Sequence, residues 1–285
     1  MVQKFTLRKE DRGQEVRRLQ SNLTDLVTDG DFGSKTQLAV RTYQRLQGLT
    51  IDGIAGPVTL GSLGIEVLPG IDLSNHNGKI DFAKVAAAGI KYAWIKVTEG
   101  TTHTNPGFRD RFKGARDHGI KVGAYHFGRP DTNVGSDDAS KEVENFLEAC
   151  AAADIGPGDL LPMLDVEAGM KTDDQYNVDW ALEWLWKVQD VYNVKPVIYT
   201  ARWAFNLYCQ QARRKELSRL KAYPLWLASY NEGIEPKRKT SLWKTWDIWQ
   251  WSGSGSVPGV KGKCDQNWMA GGQLSNLCLP DRCNR

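Results

Sequence analysis

From residue 70 onward, short apolar runs alternate with segments of helical period. The runs are GIDLS (70–74), YAWIKVTE (92–99), VGAYHFG (122–128), LLPMLDVE (160–167), PVIYTA (196–201), LWLASY (225–230) and DIWQWS (247–252), with a last candidate at KCDQNW (263–268). Each is too short for an independent helix, and glycine or polar turn residues bound most of them, as Gly158 and Gly169 bound the fourth, so they read as buried strands. Between them DFAKVAAAG, PGFRDRFKGARDHG, DDASKEVENFLEACAAA, DWALEWLWKVQDVYN and RRKELSRL read as helices. Five β/α units followed by about three helix-poor strands predict an α/β fold, an irregular β/α barrel.

The first 64 residues follow another pattern, an internal repeat. EVRRLQ (15–20) matches AVRTYQ (39–44), and DGDFGSKT (29–36) matches DGIAGPVT (52–59). Each half reads as an amphipathic helix and a glycine turn that starts the next helix, with Pro57 suited to a first helical position. Val16, Leu19 and Leu23 share one helical face, and Leu38, Val40, Tyr43 and Leu46 approximately share another; both are expected to be core. The result is a small all-α three-helix domain. The expected limits are 1–64 for this unit, 65–69 for a short linker, 70–274 for the barrel and 275–285 for a C-terminal tail.

The chemistry of a β/α barrel sits at the C-terminal ends of its strands, and polar residues fall there. Asp72 ends the first strand, Glu99 follows the second, Tyr125 and His126 close the third, and Asp165 and Glu167 close the fourth. Tyr199 closes the fifth, Trp226 and Tyr230 flank the sixth, Gln250 lies in the seventh and Asp265 in the last. Asp165 and Glu167 leave the same face of an extended chain roughly 7 Å apart, while Val166 points away. Two carboxylates this close disfavour double ionisation, which raises one pKa and keeps an acid protonated near neutral pH. An isolated Asp-x-Glu pair is more often a structural cap; the convergent ring of carboxylates and aromatics turns that balance toward catalysis.

Composition narrows the partners. A chain of 285 residues with 41% hydrophobic and 25% charged residues is an ordinary globular one, and a formal charge of +3 gives no argument for nucleic acid. No apolar leader and no membrane-spanning segment stand out in the sequence, so stable membrane insertion is not expected. Eleven tryptophans are unusual. Trp180, Trp184 and Trp186 are expected to serve a helix's buried face; Trp249 and Trp251 share a strand face opposite Gln250, where one can line a cleft and stack on a sugar. Five cysteines form no zinc-like pair, and Cys278 with Cys283 can bridge only in an oxidising compartment. The histidines, His76, His103, His118 and His126, lack a metal-ligand spacing, so no metal or other cofactor is expected.

Two resemblances sharpen this picture. GQEVRRLQSNL, DGDFGSKTQLAVRTYQRLQGL and IDGIAGPVTLGSL resemble the peptidoglycan-binding domain type 1 family, which implies targeting to the bacterial wall. GIDLSNHNGKIDF, IKVTEGTTHTNPGF, GAYHFGRP, PMLDVE, IYT, LWLASYN and WQWSGSGSVPGVKGKCDQNW are similar, in order, to glycoside hydrolase family 25, the muramidases often called Chalaropsis-type lysozymes. That resemblance implies cleavage of the β-1,4 bond between N-acetylmuramic acid and N-acetylglucosamine. It implies Glu167 as the acid, Asp165 as its partner, Asp72 and Asp265 as further active-site aspartates, and Tyr125 and Tyr199 near the substrate. Glu99, His126, Trp226, Tyr230 and Gln250 join them as substrate-contact candidates from their places at strand ends. Cys264 stands where the family more often has an apolar residue, and LSNLCLPDRCNR lies beyond its core.

Because the Asp-x-Glu pair shares one strand, the substrate's own N-acetyl oxygen is the expected nucleophile, with net retention. The combination resembles a phage endolysin: a monomer made in the host cytoplasm without a signal peptide, acting on peptidoglycan after release. A metal-dependent wall amidase and a non-catalytic peptidoglycan-binding protein are the rival readings. The first lacks ligand spacing; against the second stands the retention of all four carboxylates.

Overall fold

The computed structural model describes residues 5–130, 137–231, 236, 240–270 and 273–280. Cys283, and with it the Cys278–Cys283 pairing, lies outside the described residues.

Three helices, α1 (Gln14–Ser21), α2 (Ser34–Leu46) and α3 (Pro57–Ser62), form the N-terminal unit. The sequence repeat is a repeated hydrogen-bond device. Gln20 donates to Asp29, the Asp31 carbonyl and Thr36, and accepts from the Gly30 amide at 2.7 Å. Gln44 does the same with Asp52, the Ile54 carbonyl, Thr59 and the Gly53 amide at 2.9 Å. Gly30 and Gly53 both hold positive φ, and an added Cβ at Gly53 would lie 2.8 Å from the Arg41 side chain, so each glycine is required twice over. Val16, Leu19, Leu23 and Val40 are core as expected. Leu38 and Leu46 are exposed, because α2 turns only the Thr36, Val40 and Gln44 side inward.

The barrel strands are β1 (Val67–Leu73), β2 (Tyr92–Glu99), β4 (Lys121–Phe127), β5 (Met163–Asp165), β6 (Val197–Ala201), β7 (Leu225–Ala228), β8 (Ile248–Gly255) and β9 (Cys264–Ala270); β3 (His103–Thr104) is a short flap on β2. The helices are α4 (Phe82–Ala87), α5 (Phe108–Asp117), α6 (Asp138–Ala152), α7 (Asp174–Tyr192), α8 (Arg202–Tyr208), α9 (Arg214–Leu220) and α10 (Gln273–Asn276). Pairing runs β1-β9-β8-β7-β6-β5-β4-β2, and β1 also pairs with β2, which closes eight strands into a barrel. All neighbours are parallel except β9, which is antiparallel to β8 and β1. Among the described residues, no helix lies between β7, β8 and β9, as the sequence pattern predicts.

Three boundaries differ from expectation. The linker ends early: Val67, Leu68 and Pro69 already pair with Ala270, Met269 and Trp268, so β1 includes them. The fourth strand is only Met163–Asp165, since Pro162 has no N–H and Leu161 donates to the Leu277 carbonyl at 2.7 Å. The tail is therefore part of the barrel floor: Leu277 and Leu279 are buried, and Leu279 exchanges backbone bonds with Gly158 and Asp159. Helix α8 follows β6 without a break, and no cap or turn residue in the sequence announces it.

Aromatic rings fill the lower barrel in place of the branched aliphatics usual in this architecture. Trp94 and Trp226 pack 4.9 Å apart, and Tyr92 meets Trp94 edge-on. Small residues make room: a Cβ on Gly70 would sit 2.1 Å from the Tyr92 ring, and one on Gly123 would sit 2.6 Å from the Trp94 indole nitrogen. On α7, Trp180 and Trp184 are buried as expected, whereas Trp186 is exposed.

The helical unit is seated on the barrel. Gln14 of α1 donates to the Trp246 carbonyl at 3.0 Å and accepts from the Trp246 amide at 3.3 Å, and Phe5 meets Trp268 of β9 edge-on at 5.7 Å.

Candidate active site

The upper layer of the barrel is polar. Asp72 on β1 stands opposite Asp265 on β9 in the antiparallel register, and the two side chains hydrogen-bond. Asp72 Oδ2 also accepts from Gln250 Nε2 at 2.9 Å and Asn267 Nδ2 at 2.8 Å. Asn267 is fixed in turn by the Trp226 indole, which donates to its Oδ1 at 2.9 Å. Tyr199 and Tyr230 both donate to Gln250 Oε1, each at 2.9 Å, which sets the orientation of that amide. One connected network therefore aims Asp72 from β7, β8 and β9.

Asp165 ends β5, and Glu167 follows it beyond the strand, where the Val166 amide bonds the Tyr199 carbonyl and Thr200 bonds the Val166 carbonyl. Asp165 is buried, and its Oδ1 has no hydrogen-bond partner among the described residues. Glu167 is half-buried, with the Tyr199 hydroxyl 3.5 Å from its Oε2. Burial raises both acids; the charge of Glu167 raises Asp165 further, that of Asp72 raises Glu167, and Lys96 opposes both shifts. Asp265 is pushed up to about 8 by burial and by its neighbour Asp72. Burial also raises Asp72, against the donors that stabilise its charge. Tyr125 lies in the field of all four: burial, then the charges of Asp72, Asp165, Asp265 and Glu167, raise its phenol well above the ordinary value. In such a site Asp265 holds its proton at neutral pH, and Asp165 and Glu167 give theirs up less readily than free carboxyls do.

The site opens into a cleft of about 820 Å³ lined by Glu167, Ala201, Arg202, Trp203, Asn206 and the segment from Ala228 to Asn231. Tyr230 and Asn231 also line a neighbouring hollow of about 420 Å³ with Trp251 and Gly253. Trp203 and Tyr230 expose 57% and 62% of their surface, a pair of flat apolar faces at the rim.

Two expected contacts, His126 and Trp226, lie behind and beneath the site, and a third, Glu99, is engaged by cations while its charge acts on Asp165. His126 is wholly buried on the helix side of β4, where Glu142 Oε2 lies 2.6 Å from Nε2 and Thr98 lies 2.8 Å from Nδ1; burial pushes its pKa down to about 3. The reason is the strand alternation itself: Tyr125 takes the inner face, so His126 takes the outer one. Trp226 is wholly buried beneath the site and acts on it from below, through its hydrogen bond to Asn267 and its edge-on packing against Tyr199 at 5.5 Å. Glu99 is held by Lys96 at 2.6 Å and Arg129 at 3.6 Å; burial raises its carboxyl, and these cations outweigh that and leave it lowered. Gln250 faces the barrel interior, and of its two tryptophan neighbours Trp249 is buried while Trp251 lines the hollow.

Sequence reasoning missed Asn267, Lys96 and the α8 residues. For Asn267 a signal existed, since it lies two positions after Asp265 on the same strand face. For α8 none did.

A closed, mostly parallel β/α barrel with buried, mutually perturbed carboxyls at its strand ends, opening on an aromatic-rimmed cleft, defines a glycosidase-type site. Residues 71–260 match the model of glycosyl hydrolases family 25, and residues 12–63 match that of a peptidoglycan binding domain. The chain belongs to glycosyl hydrolase family 25. It is 30% identical over 235 residues to Lysozyme M1 of Streptomyces globisporus, covering 79% of this chain and 76% of that protein. It is 30% identical over 210 residues to the autolytic lysozyme of Clostridium acetobutylicum, covering 73% of this chain and 57% of that one. Among solved structures, the bacterial lysozyme from Streptomyces coelicolor superimposes with a TM-score of 0.64 at 26% identity, covering 74% of this chain and 96% of that one. A family GH25 lysozyme from Aspergillus fumigatus does so with 0.62 at 28% identity, covering 75% and 99%.

Proposed function

We propose that this glycoside hydrolase is an N-acetylmuramidase that cuts the β-1,4 bond between N-acetylmuramic acid and N-acetylglucosamine in bacterial peptidoglycan. The observation that carries the reading is the Asp165–Glu167 pair: one carboxyl enclosed with a free acceptor atom, the other opening on the cleft, both with raised pKa. Glu167 protonates the departing glycosidic oxygen. The substrate's acetamido oxygen attacks the anomeric carbon while its N–H donates to Asp165 Oδ1, which orients the acetamido group for that attack. Water, deprotonated by the Glu167 carboxylate, then opens that intermediate with net retention. Asp72, protonated Asp265 and Tyr125 form the polar floor under the reacting sugar.

Mass spectrometry of reduced sugar ends after digestion of purified peptidoglycan tests this. New muramic-acid ends with the native chain, absent with Glu167→Gln, are expected; freed peptides without new sugar ends would overturn it. An inverted anomeric product, seen by NMR during digestion, would overturn only the neighbouring-group route.

The wall module beside the hydrolase supports a lytic role of the phage-endolysin kind, with synthesis in the host cytoplasm and action after release. Among the described residues, no helix is long and apolar enough to cross a membrane. Cells making the protein in the cytoplasm should stay intact until their membrane is permeabilised. The protein acts as a monomer; light scattering at the mass of one 31.9 kDa chain is the expected result.

A further inference from the structure

Helix α8 brings Arg202, Trp203 and Asn206 to the wall of the cleft that ends at Glu167. Among the described residues lining that cleft, only Glu167 and Arg202 carry charge. Arg202 is exposed and forms no ion pair or hydrogen bond among the described residues. This is an unusual place for an unengaged guanidinium, since four acidic side chains lie at the floor of the same site.

An anionic ligand entering this cleft finds a floor made of carboxyls, and a cation near the point of entry is what can attract it. The two sugars of the glycan differ in one group: muramic acid carries a lactyl ether on O-3, which ends in a carboxyl or continues into a peptide stem with carboxylates of its own. An arginine fork matches a carboxylate in geometry as well as charge, and Trp203 and Tyr230 offer the flat faces on which a pyranose rests. We propose that Arg202 is a specificity-determining residue that binds the carboxylate borne by the O-3 substituent of a muramoyl unit, within a subsite formed by α8. The proposal rests on the muramidase reading.

The test uses the full chain. In the Glu167→Gln background, Kd is measured by calorimetry for chitotetraose, for a tetrasaccharide of alternating N-acetylglucosamine and N-acetylmuramic acid with free lactyl groups, and for the same glycan bearing alanyl-glutamate stems. Arg202→Gln is expected to weaken one or both muramoyl ligands by about ten- to a hundredfold, to leave chitotetraose binding and the unfolding midpoint unchanged, and to be partly rescued by Arg202→Lys. The ligand that loses more identifies the lactyl or the stem carboxylate as the group read. Equal weakening of all three ligands, or none, would overturn the proposal. With Glu167 intact, Arg202→Gln should raise KM on sacculi and spare kcat. If the native chain releases no muramic-acid ends, the muramidase reading itself fails; if it releases them while Arg202→Gln changes no muramoyl affinity, only the Arg202 subsite fails.

Discussion

Asp72 and Asp265 face one another across the β1–β9 ladder, and the second carboxyl is the donor in their hydrogen bond. With a pKa near 8 against an ordinary value of 3.8, Asp265 keeps its proton in the folded protein while the unfolded chain loses it. The unfolded state then binds fewer protons, so Asp265 stabilises the fold fully below about pH 4, and that contribution is lost as pH rises toward 8. Urea midpoints of the native chain should therefore fall between pH 5 and pH 8. Asp265→Asn keeps a donor for Asp72 but has no proton to lose, and its midpoint should fall less over the same interval; an equal fall would mean that Asp265 is ionised in the folded state.

Glu167→Gln retains the size of the acid and removes its proton. Loss of a general acid costs about 10²- to 10⁴-fold, so kcat on purified sacculi should drop by that order while sacculus binding, read by co-sedimentation, stays intact. A variant that fails to sediment would place Glu167 in ground-state binding instead.

Gln250 is the joint of the network, accepting from Tyr199 and Tyr230 and donating to Asp72. Gln250→Ala takes a hydrogen bond from three groups at once, the buried Asp72 and Tyr199 and the exposed Tyr230. It should lower stability by about 1–3 kcal/mol and kcat at least as sharply as it lowers the melting temperature. Tyr230→Phe breaks only one of these bonds and should leave the melting temperature nearly unchanged.

Much of this was readable in the sequence for a simple reason: strand and helix periods, and the rule that places barrel chemistry at strand ends, both act locally. Asp72, Asp165, Glu167, Tyr199 and Asp265 follow from that rule together with the family resemblance. What was not readable depends on contacts between distant segments. Trp226 looks like any strand-end aromatic until β9 supplies Asn267 as its partner, and His126 differs from Tyr125 only by which face of β4 the closed barrel turns inward. The tail LSNLCLP has no signal of its own, because its strand-like bonds are completed by Gly158, Asp159 and Leu161.

Gly70 shows how tightly the lower barrel is specified. Any Cβ there enters the ring of Tyr92, which is wholly buried and boxed in by Trp94. Gly70→Ala should destabilise by about 1–3 kcal/mol or more, and Gly70→Ala combined with Tyr92→Leu should recover part of that loss in chemical denaturation. No recovery would mean that the backbone of β1, and not the ring, demands glycine.

The seat of the helical unit makes a last distinction possible. Cutting the chain before residue 70 removes more than the wall module, because Val67, Leu68 and Pro69 supply half of the β1 ladder to β9. Cutting before residue 66 keeps that ladder and removes only the module, including Phe5 and Gln14. The 66–285 fragment should thus melt above the 70–285 fragment and below the whole chain, the second gap reflecting the Gln14 bonds to Trp246 and the cover Phe5 gives Trp268. In the whole chain Gln14→Ala should lower the melting temperature without touching any group of the active site. If 66–285 and 70–285 melt together, residues 67–69 contribute nothing to the barrel and the closure of β9 onto β1 begins at Gly70; if 66–285 melts with the whole chain, the module is a passenger, and its effect on sacculi is affinity alone.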